Sequence, residues 1–216
     1  MLIKNKNIVV VDYGLGNLKS LHNAFRAIGI EVIVSSNQKK IDNADGMIIP
    51  GVGAFGVAMQ KIKTCGLFET INHFLYSQKP VLGICLGMQL LFEKSEEAVG
   101  VSGFSYFLGD VKKLSVENTK NMRLPHIGWK KLSQHEKSTP LFSNSILSHL
   151  FDQTQYFVHS FIVNPQNSTE ILATSQYAKK EFACAVQKNN VIGVQFHPEK
   201  SRAPGLNVLK NFVDLC

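Results

Sequence analysis

Apolar positions in the first half of the chain alternate between short β-branched runs and segments with helical spacing. Ile8–Val11 is an unbroken aliphatic run, which is typical of a parallel strand buried on both faces. Apolar residues then recur at helical spacing over residues 18–28, and Gly29 ends that pattern before a second strand, expected over residues 31–34. The segment therefore predicts one β-α-β unit.

The same order recurs farther along the first half. A strand is expected over Gly46–Ile49, helical spacing runs through residues 59–74, and a third buried strand is expected over Val81–Ile84. A helix should begin directly after it and include residues 88–92. Strands that alternate with helices in this way predict a doubly wound parallel sheet.

Past about residue 105 the apolar runs become shorter and alternate with polar residues. Strands are expected over residues 156–162, 171–174 and 184–187, and Asn189-Asn190 should join the last of these to a strand over residues 191–196. A final helix is expected over residues 206–213. Because no segment has the composition of a linker, we expect one domain that spans residues 1–216.

The composition narrows the class of protein. Hydrophobic residues make up 44% and charged residues 18% of the 216 residues, which is typical of a globular fold. The net charge of +7 is spread over scattered lysine doublets, so nucleic-acid binding is not expected. No apolar run approaches the roughly 18 residues of a membrane helix, and residues 1–6 lead straight into a strand, so we expect no membrane association and a cytoplasmic location. The four cysteines have no paired spacing and are expected to be free thiols.

The candidate nucleophile lies at the end of the third buried strand. Gly83-Ile84-Cys85-Leu86-Gly87 is the cysteine version of the G-x-S-x-G nucleophile elbow, a sharp turn from strand to helix. Glycines on either side relieve the crowding at such a turn, and the start of the helix favours a thiolate. The N–H of Leu86 is placed to meet an oxyanion. An isolated motif of this kind is also compatible with a cysteine that only packs.

A second motif supplies the partners that a nucleophile needs. His197 ends an apolar strand and Glu199 follows two residues later, with Pro198 between them. In an extended chain, residues i and i+2 share a face, so the carboxylate is expected to bond one imidazole nitrogen while the other faces Cys85. The two motifs together predict a Cys-His-Glu triad.

A glycine-rich turn after the strand at residues 46–49 is the third element. Pro50-Gly51-Val52-Gly53 can bring backbone N–H groups close to the nucleophile, because glycines tolerate the dihedral angles that this requires. By itself the segment is only a turn. In this chain order it predicts one side of an oxyanion hole.

These three motifs, in this order, resemble those of the class I (triad) glutamine amidotransferases. The resemblance spans nearly the whole chain and implies a three-layer α/β fold of flavodoxin-like type. It has a central mixed, mostly parallel sheet flanked by helices and an added antiparallel hairpin region. Runs at residues 12–18, 92–97, 125–129 and 156–160 further resemble the glutaminase subunit of imidazole glycerol phosphate synthase.

The resemblance also implies a role for each matching residue. Cys85 would attack the side-chain amide of glutamine, with His197 as the base and Glu199 orienting it. It implies a (β/α)8-barrel cyclase that receives the ammonia, in histidine biosynthesis. No cofactor is expected, and no metal is expected because His126, His159 and His197 lack the spacing of metal ligands. The implied oxyanion hole is Gly51, Val52, Gly53 and Leu86; the implied glutamine-binding residues are Gln89, Glu97, Ser160 and Phe161; the implied docking face includes Asn17, His126, Trp129, Tyr156 and Lys200.

Three alternatives remain open on the sequence. Lys130 stands where the family usually has asparagine, and Phe161 where it usually has tyrosine. Because interface charges set partner choice, a related glutaminase that supplies ammonia for amidation of a surface sugar is the first alternative. The second is a cysteine hydrolase acting on peptides or esters, which would share the triad. The third is an inactive interaction subunit.

Overall fold

Thirteen strands and six α-helices make up the part of the chain that the computed structural model describes, namely residues 6–115, 123–136, 145–148 and 150–216. Residues 1–5, which were expected to lead straight into the first strand, lie outside this part. The helices are α1 (Leu18–Ala27), α2 (Gln38–Asp42), α3 (Phe55–Thr64), α4 (Phe68–Leu75), α5 (Leu86–Leu90) and α6 (Arg202–Leu215). The strands are β1 (Ile8–Val11), β2 (Ile33–Ser35), β3 (Gly46–Ile49), β4 (Val81–Ile84), β5 (Phe92–Ser95), β6 (Phe107–Lys113), β7 (His126–Lys131), β8 (Ser133–Gln134), β9 (Thr154–His159), β10 (Phe161–Pro165), β11 (Ile171–Tyr177), β12 (Lys180–Lys188) and β13 (Val191–Val194).

The main sheet has a parallel half and an antiparallel half. Strands β2, β1, β3, β4 and β13 lie side by side in that order and are all parallel. This is the flavodoxin-like strand order. Strands β12, β10, β6 and β5 continue the same sheet beyond β13, and the pairings of β13 with β12, β12 with β10, and β10 with β6 are antiparallel. A separate two-stranded sheet joins β7 to β9. The predicted fold class is confirmed, including the antiparallel region.

Side-chain alternation in the buried strands explains why the parallel half has a core on each face. In β1, Ile8 and Val10 pack into one hydrophobic cluster and Val9 and Val11 into the other. All four are fully buried, and each such side chain contributes about 1.5–3 kcal/mol relative to exposure. A strand that is apolar at every position is therefore stable only with helices on both faces.

The predicted strand over residues 156–162 is in fact two strands that belong to different sheets. Strand β9 pairs with β7, whereas β10 pairs with β6 and β12 in the main sheet. The break falls at Ser160, where the ring Nδ1 of His159 donates to the carbonyl oxygen of Phe161 at 3.0 Å. The carbonyl oxygen of Ser160 still accepts from the N–H of Leu114 at 2.8 Å, so at this point the chain changes its partner strand without losing backbone pairing.

Three helix boundaries also differ from the sequence pattern. The spacing over residues 59–74 resolves into α3 and α4, because Gly66 adopts a φ of 69° between them. Helix α5 ends at Leu90 and Phe92 begins β5, where its ring stacks on Phe107 of β6 at 5.4 Å. Helix α6 starts at Arg202, four residues earlier than expected. Tertiary pairing outweighed local propensity in β5. Within the described ranges, no helix has both the length and the apolar character to cross a bilayer.

Candidate functional site

Cys85 occupies a sharp turn between β4 and α5 with a left-handed backbone. Its φ is 55° and its ψ is −107°, a conformation that costs a non-glycine residue about 1–3 kcal/mol. The flanking glycines are required by close approach. A Cβ at Gly87 would overlap the carbonyl oxygen of Ile49 in β3, and one at Gly83 would lie 2.8 Å from the carbonyl oxygen of Gly87. The elbow therefore tolerates side chains at neither glycine.

Sheet order brings the nucleophile and the histidine to one edge. Strands β4 and β13 are parallel neighbours in which Ile84 pairs with Val194, so both end at the same side of the sheet. The N–H of Cys85 donates to the carbonyl oxygen of Val194 at 2.7 Å. Consequently Cys85 and His197 line the same cavity, of about 510 Å³, although 112 positions separate them in the chain. We call this space the main cavity.

Glu199 contacts the Nδ1 edge of the imidazole, and it does not line the main cavity. The Nδ1 of His197 lies 2.9 Å from Oε1 of Glu199, and both side chains are almost fully buried. The spacing of two residues predicted this contact, but the extended backbone expected between them is wrong. Residues Pro198–Lys200 form a 3₁₀ turn after an extended His197. Proline at the first position of the turn suits its fixed φ.

The charge state of His197 follows from its neighbours. Burial by itself would lower the pKa of His197, but its interactions with Cys85 and Glu199 outweigh burial and raise the pKa to about 10. Its Nε2 is buried and has no hydrogen-bond partner within the described residues. At neutral pH the imidazole is therefore protonated, in contact with Glu199 and beside the sulfur of Cys85. This arrangement suits proton delivery to a leaving group.

The predicted oxyanion residues line two different cavities. Val52, Gly53 and Leu86 line the main cavity. Gly51 does not line it, and instead faces a small adjoining pocket together with Asn17 and Glu199. A Cβ at Gly51 would lie 2.8 Å from Cβ of Leu86, so this glycine permits the loop to approach the elbow closely.

Tyr13 supports the glycine-rich loop from below. Its hydroxyl donates to the carbonyl oxygen of Pro50 at 2.5 Å, and its side chain is 1% exposed. Burial, and secondarily the charge of Cys85, raises the pKa of the Tyr13 phenol well above its ordinary value. The phenol therefore stays a hydrogen-bond donor and restrains the peptide that leads into Gly51.

Two glutamines connect the nucleophile to the antiparallel half. The side-chain Nε2 of Gln89 donates to Oε1 of Gln195 at 3.1 Å and to the carbonyl oxygen of Phe161 at 3.2 Å. The Nε2 of Gln195 in turn donates to Sγ of Cys85 at 3.5 Å. Because an amide has two N–H donors, Gln89 has used both, and its Oε1 is the polar atom left for a ligand in the main cavity.

The other predicted glutamine-binding residues also line the main cavity. Ser160 and Phe161 do so at the break between β9 and β10, and Glu97 lines the same cavity. The Oε2 of Glu97 accepts a hydrogen bond from the N–H of Phe55 at 2.7 Å, which places a carboxylate at the first turn of α3. The structure thus brings all four predicted residues, including Gln89, around one space.

The residues predicted for the docking face differ in their exposure to solvent. Trp129 is 40% exposed and meets Tyr156 edge-on at 5.7 Å, and Lys200 Nζ lies 5.9 Å from the ring centre of Tyr156. Asn17 is half-buried and caps α1 by accepting from the N–H of Ser20. The expectation for His126 is wrong for its side chain, which is fully buried within an aromatic cluster.

Sequence reasoning missed four residues around the site. Tyr13 and His159 lie inside the runs that carried the family resemblance, and Gln195 lies two residues before His197. Their positions in these motifs could have drawn attention to them, but no role was assigned to them. Arg202, whose guanidinium lies 5.1 Å from the ring centre of Trp129, had no local signal. Among the described residues no cluster of three or more His, Cys, Asp or Glu side chains is arranged to hold a metal ion.

Comparison with known proteins identifies close relatives in sequence. The family model described as glutamine amidotransferase class-I matches residues 9–216. A protein of Methanothermobacter thermautotrophicus named imidazole glycerol phosphate synthase subunit HisH is 41% identical over 208 residues, which cover 96% of this chain and 98% of that protein. The HisH subunit of Listeria innocua is 43% identical over 208 residues, covering 96% and 95% respectively.

Solved structures with distant sequences share the fold. A structure described as a glutamine amidotransferase superposes with a TM-score of 0.72 at 16% identity and covers 96% of this chain and 97% of that one. The PurLQS structure from Thermotoga maritima gives a TM-score of 0.70 at 17% identity, covering 98% and 99%. At such low identity the likeness concerns the fold alone.

Proposed function

This chain belongs to the class-I glutamine amidotransferase family and is of the HisH type, and from that premise we propose that it hydrolyses glutamine to glutamate and ammonia. Cys85, His197 and Glu199 act as its catalytic triad. The observation that carries the proposal is the convergence of the Cys85 sulfur and the His197 imidazole in one cavity, which Gln89 also lines. The carboxylate of Glu199 supports the imidazole from behind.

In the first half-reaction the Cys85 thiolate attacks the side-chain carbonyl carbon of glutamine. The carbonyl electrons move to oxygen, and the oxyanion is met by the N–H of Leu86, which opens a helix and lacks an intrahelical acceptor, and by the backbone at Val52 and Gly53. His197, protonated at neutral pH, gives its proton to the amide nitrogen. The carbon–nitrogen bond then breaks, ammonia leaves, and a thioester to Cys85 remains.

In the second half-reaction water releases glutamate. Neutral His197 removes a proton from a water molecule as its oxygen attacks the thioester carbon, and the carbon–sulfur bond breaks to regenerate the thiolate and the imidazolium. Glu199 keeps the Nδ1 side of the ring in place throughout, since its Oε1 lies 2.9 Å away. No redox step and no cofactor is required.

Binding of glutamine is assigned to the polar groups on the far wall of the main cavity. The free Oε1 of Gln89 can accept from the substrate, and Ser160 with the Phe161 backbone borders the same space. Glu97 supplies a carboxylate that suits an ammonium group. The Phe161 carbonyl is already occupied by protein donors, so it contributes by holding its neighbours in place.

A surface beside the mouth of the main cavity supports a protein partner. We define the docking platform as Trp129, Tyr156, Lys200 and Arg202, in which each ring carries a cation within 6 Å of its centre. Lys200 also lines the main cavity. Exposed aromatic and arginine side chains are enriched at interfaces.

The partner in this proposal is a (β/α)8-barrel cyclase, with which the chain forms a heterodimer. Ammonia would pass from the main cavity into the cyclase, which would use it to make imidazole glycerol phosphate and AICAR in histidine biosynthesis. An enclosed route keeps ammonia unprotonated and therefore nucleophilic. The naming of the relatives as subunits of imidazole glycerol phosphate synthase supports this assignment, and a cytoplasmic location is part of it.

The decisive experiment measures glutamate release from glutamine by the full chain, alone and mixed with the candidate cyclase carrying its nucleotide substrate. We expect release that depends on Cys85 and rises when the loaded cyclase is added. A Cys65→Ala variant is the matched control, because Cys65 is exposed and remote from the main cavity. Turnover of peptides or esters in place of glutamine would refute the proposal.

The remaining alternatives are separated by the same assay. An inactive interaction subunit would bind the cyclase without releasing glutamate under any condition. A glutaminase for sugar amidation would release glutamate only with a different synthase. Nothing in the described residues favours either over the histidine-pathway role.

A further inference from the structure

Two buried histidines form a direct contact at the main cavity, which His159 lines and His126 does not. Nδ1 of His126 lies 3.0 Å from Nε2 of His159, and Nδ1 of His159 lies 3.0 Å from the carbonyl oxygen of Phe161. His126 is fully buried and His159 is 5% exposed. Neither residue was expected from the sequence to take part in substrate binding.

The chemistry of the three groups fixes the direction of every hydrogen bond. A carbonyl oxygen only accepts, so His159 must carry a proton on Nδ1. Burial lowers the pKa of His159 to about 3 and that of His126 to about 4, so both rings are neutral at neutral pH. Nε2 of His159 is then an acceptor, and His126 must donate to it through Nδ1. The donor of His126 and the carbonyl of Phe161 thereby favour the same tautomer of His159.

This arrangement leaves His126 with an unsatisfied atom. Its Nε2 carries no proton, is buried, and has no hydrogen-bond partner among the described residues. The ring is stacked between Tyr177, at a centroid distance of 4.0 Å, and Phe157, at 5.3 Å. A phenylalanine would keep both stacks and remove the orphaned acceptor, so packing alone does not explain a histidine here.

The chain of hydrogen bonds from His126 through His159 ends at the carbonyl oxygen of Phe161, beside the residues assigned to glutamine binding. The oxygen of Phe161 accepts from His159 and from Gln89 at once, so its two lone pairs are occupied by two protein donors. That pair of bonds fixes the break between β9 and β10, where Ser160 borders the main cavity, and it fixes which face Gln89 turns to the ligand. Loss of the His159 donor would release the backbone at the strand break and the side chain of Gln89 from these positions.

We propose that His126 is a positioning residue for glutamine: by donating to His159 it holds the Ser160–Phe161 backbone and the Gln89 side chain in their ligand-receiving arrangement. The inference rests on the proposed glutaminase function and deepens it. His126 touches no substrate. Its contribution is expected in glutamine affinity rather than in the chemical step, because the triad atoms lie on the other wall.

Two substitutions separate hydrogen bonding from packing. His126→Phe keeps the stacked ring and removes the donor, whereas His126→Asn keeps an amide N–H near the position of Nδ1 and removes the ring. We expect His126→Phe to raise KM for glutamine about tenfold, the size of one lost hydrogen bond, with kcat within about threefold of the wild type. His126→Asn should keep KM within about threefold.

Thermal stability should change in the opposite order. His126→Phe should melt close to the wild-type temperature, because it removes the orphaned Nε2 acceptor of His126 but leaves the buried Nε2 of His159 without its donor. His126→Asn should melt lower, because both ring contacts are lost. If His126 had only a structural role, the order of the KM values would be reversed, with KM unchanged in His126→Phe. That reversed order of KM, or an equal rise of KM in both variants, would overturn the proposal.

A spectroscopic signature and a binding measurement make the test independent of turnover. Long-range ¹⁵N–¹H correlation spectra of the full chain should assign the His159 proton to Nδ1 in the wild type and in His126→Asn, and mixed tautomers in His126→Phe. A single unchanged tautomer in His126→Phe would overturn the inference. Calorimetric titration of glutamine into the same variants in a Cys85→Ala background should reproduce the order of the KM values.

Controls keep this inference distinct from the function on which it rests. Tyr177→Phe removes a hydroxyl from the same cluster, one that donates to the Arg123 carbonyl oxygen at 2.9 Å, without changing the imidazole pair. Its KM should stay at the wild-type value, and a tenfold rise there would point to general disturbance of the cluster and count against the proposal. If the wild-type complex releases no glutamate, the proposed function fails; if it is active and the variants follow packing, only this inference fails.

Discussion

The parallel and antiparallel halves of the main sheet contribute different things to the main cavity. The parallel half supplies the reacting atoms, since Cys85 follows β4 and His197 lies shortly after β13. The antiparallel half, with the β7–β9 sheet behind it, supplies the Phe161 carbonyl and the histidine pair. One half can therefore be expected to govern the chemical step and the other the affinity for substrate.

The two halves also differ in how their geometry is specified. Parallel strands that are apolar on both faces end at one edge of the sheet, so residues just beyond them converge whatever lies between them in the chain. The antiparallel half depends on a strand break and on side-chain tautomers. Substitutions of the reacting residues in the first half should change kcat, and substitutions in the second should change KM.

Cys85→Ala should have the largest effect. Removing the sulfur leaves no nucleophile, so kcat for glutamine hydrolysis should fall by at least about 10⁴-fold while glutamine still binds. Glutamate release and calorimetry measure the two quantities. If the variant lost glutamine binding as well as turnover, the parallel half would also control affinity. That result would contradict the division of roles between the two halves.

Glu199→Gln should come next, with kcat reduced by about 10²–10⁴-fold and KM little changed. The Glu199 carboxylate helps raise the pKa of His197 to about 10, so NMR titration should find a lower pKa in the variant. Because the folded pKa lies above the unfolded value, this ion pair stabilises the fold fully below about pH 6.5, and the stabilisation is lost as pH rises through about 10. The variant should show a smaller alkaline loss, because the interaction of His197 with Cys85 remains.

Gln195→Met tests the contact that joins the two halves. The variant removes the N–H that donates to the Cys85 sulfur and the acceptor for Gln89, so alkylation of Cys85 near neutral pH should slow about tenfold. Mass spectrometry can follow each cysteine separately. Gln155→Met is the matched control, since Gln155 is also buried but has no hydrogen-bonded side-chain atom within the described ranges, and it should leave alkylation unchanged.

Acid should weaken the fold through the histidine pair in the second half. The folded pKa values of His126 and His159, about 4 and 3, lie below the ordinary 6.5, so the unfolded chain binds protons that the folded chain does not. The free energy of unfolding should therefore fall as pH drops below 6.5, by up to about 1.4 kcal/mol per pH unit for each group. Urea titrations between pH 7 and 4.5 should give a shallower fall for His126→Phe; an equal slope would contradict this.

Phe161→Tyr should have the smallest effect. The Phe161 contacts that organise the wall involve its carbonyl oxygen, so a hydroxyl at the end of the ring should change KM by less than about twofold. Steady-state kinetics with the loaded partner provides the measurement. A large change in KM would assign a role to the ring itself and weaken the backbone argument.

The catalytic motifs could be read from the chain because their geometry is local. The elbow at Cys85 needs glycines at positions 83 and 87, and the spacing of His197 and Glu199 predicted their contact although the backbone between them is a 3₁₀ turn. The flavodoxin-like strand order was expected from family resemblance and is confirmed. The triad and its binding residues remain a prediction until activity is measured.

The structure around Ser160 and His126 could not be predicted from local sequence patterns. The pattern over residues 156–162 indicated one strand, and His126 was expected near the surface, whereas the chain breaks at Ser160 and His126 is buried. Gln195 contacts Cys85 across 110 positions of sequence. Partners this distant become visible only once the strand order is known.

By itself the sequence determined which strands are buried, where the chain turns sharply, and which side chains could react, because apolar periodicity and glycine placement act over a few residues. Only the tertiary structure decided which polar groups share a wall, which nitrogen of His159 carries the proton, and that His126 lies behind it. Hydrogen bonds between groups far apart in the chain depend on the whole sheet being assembled, and no local pattern encodes that assembly.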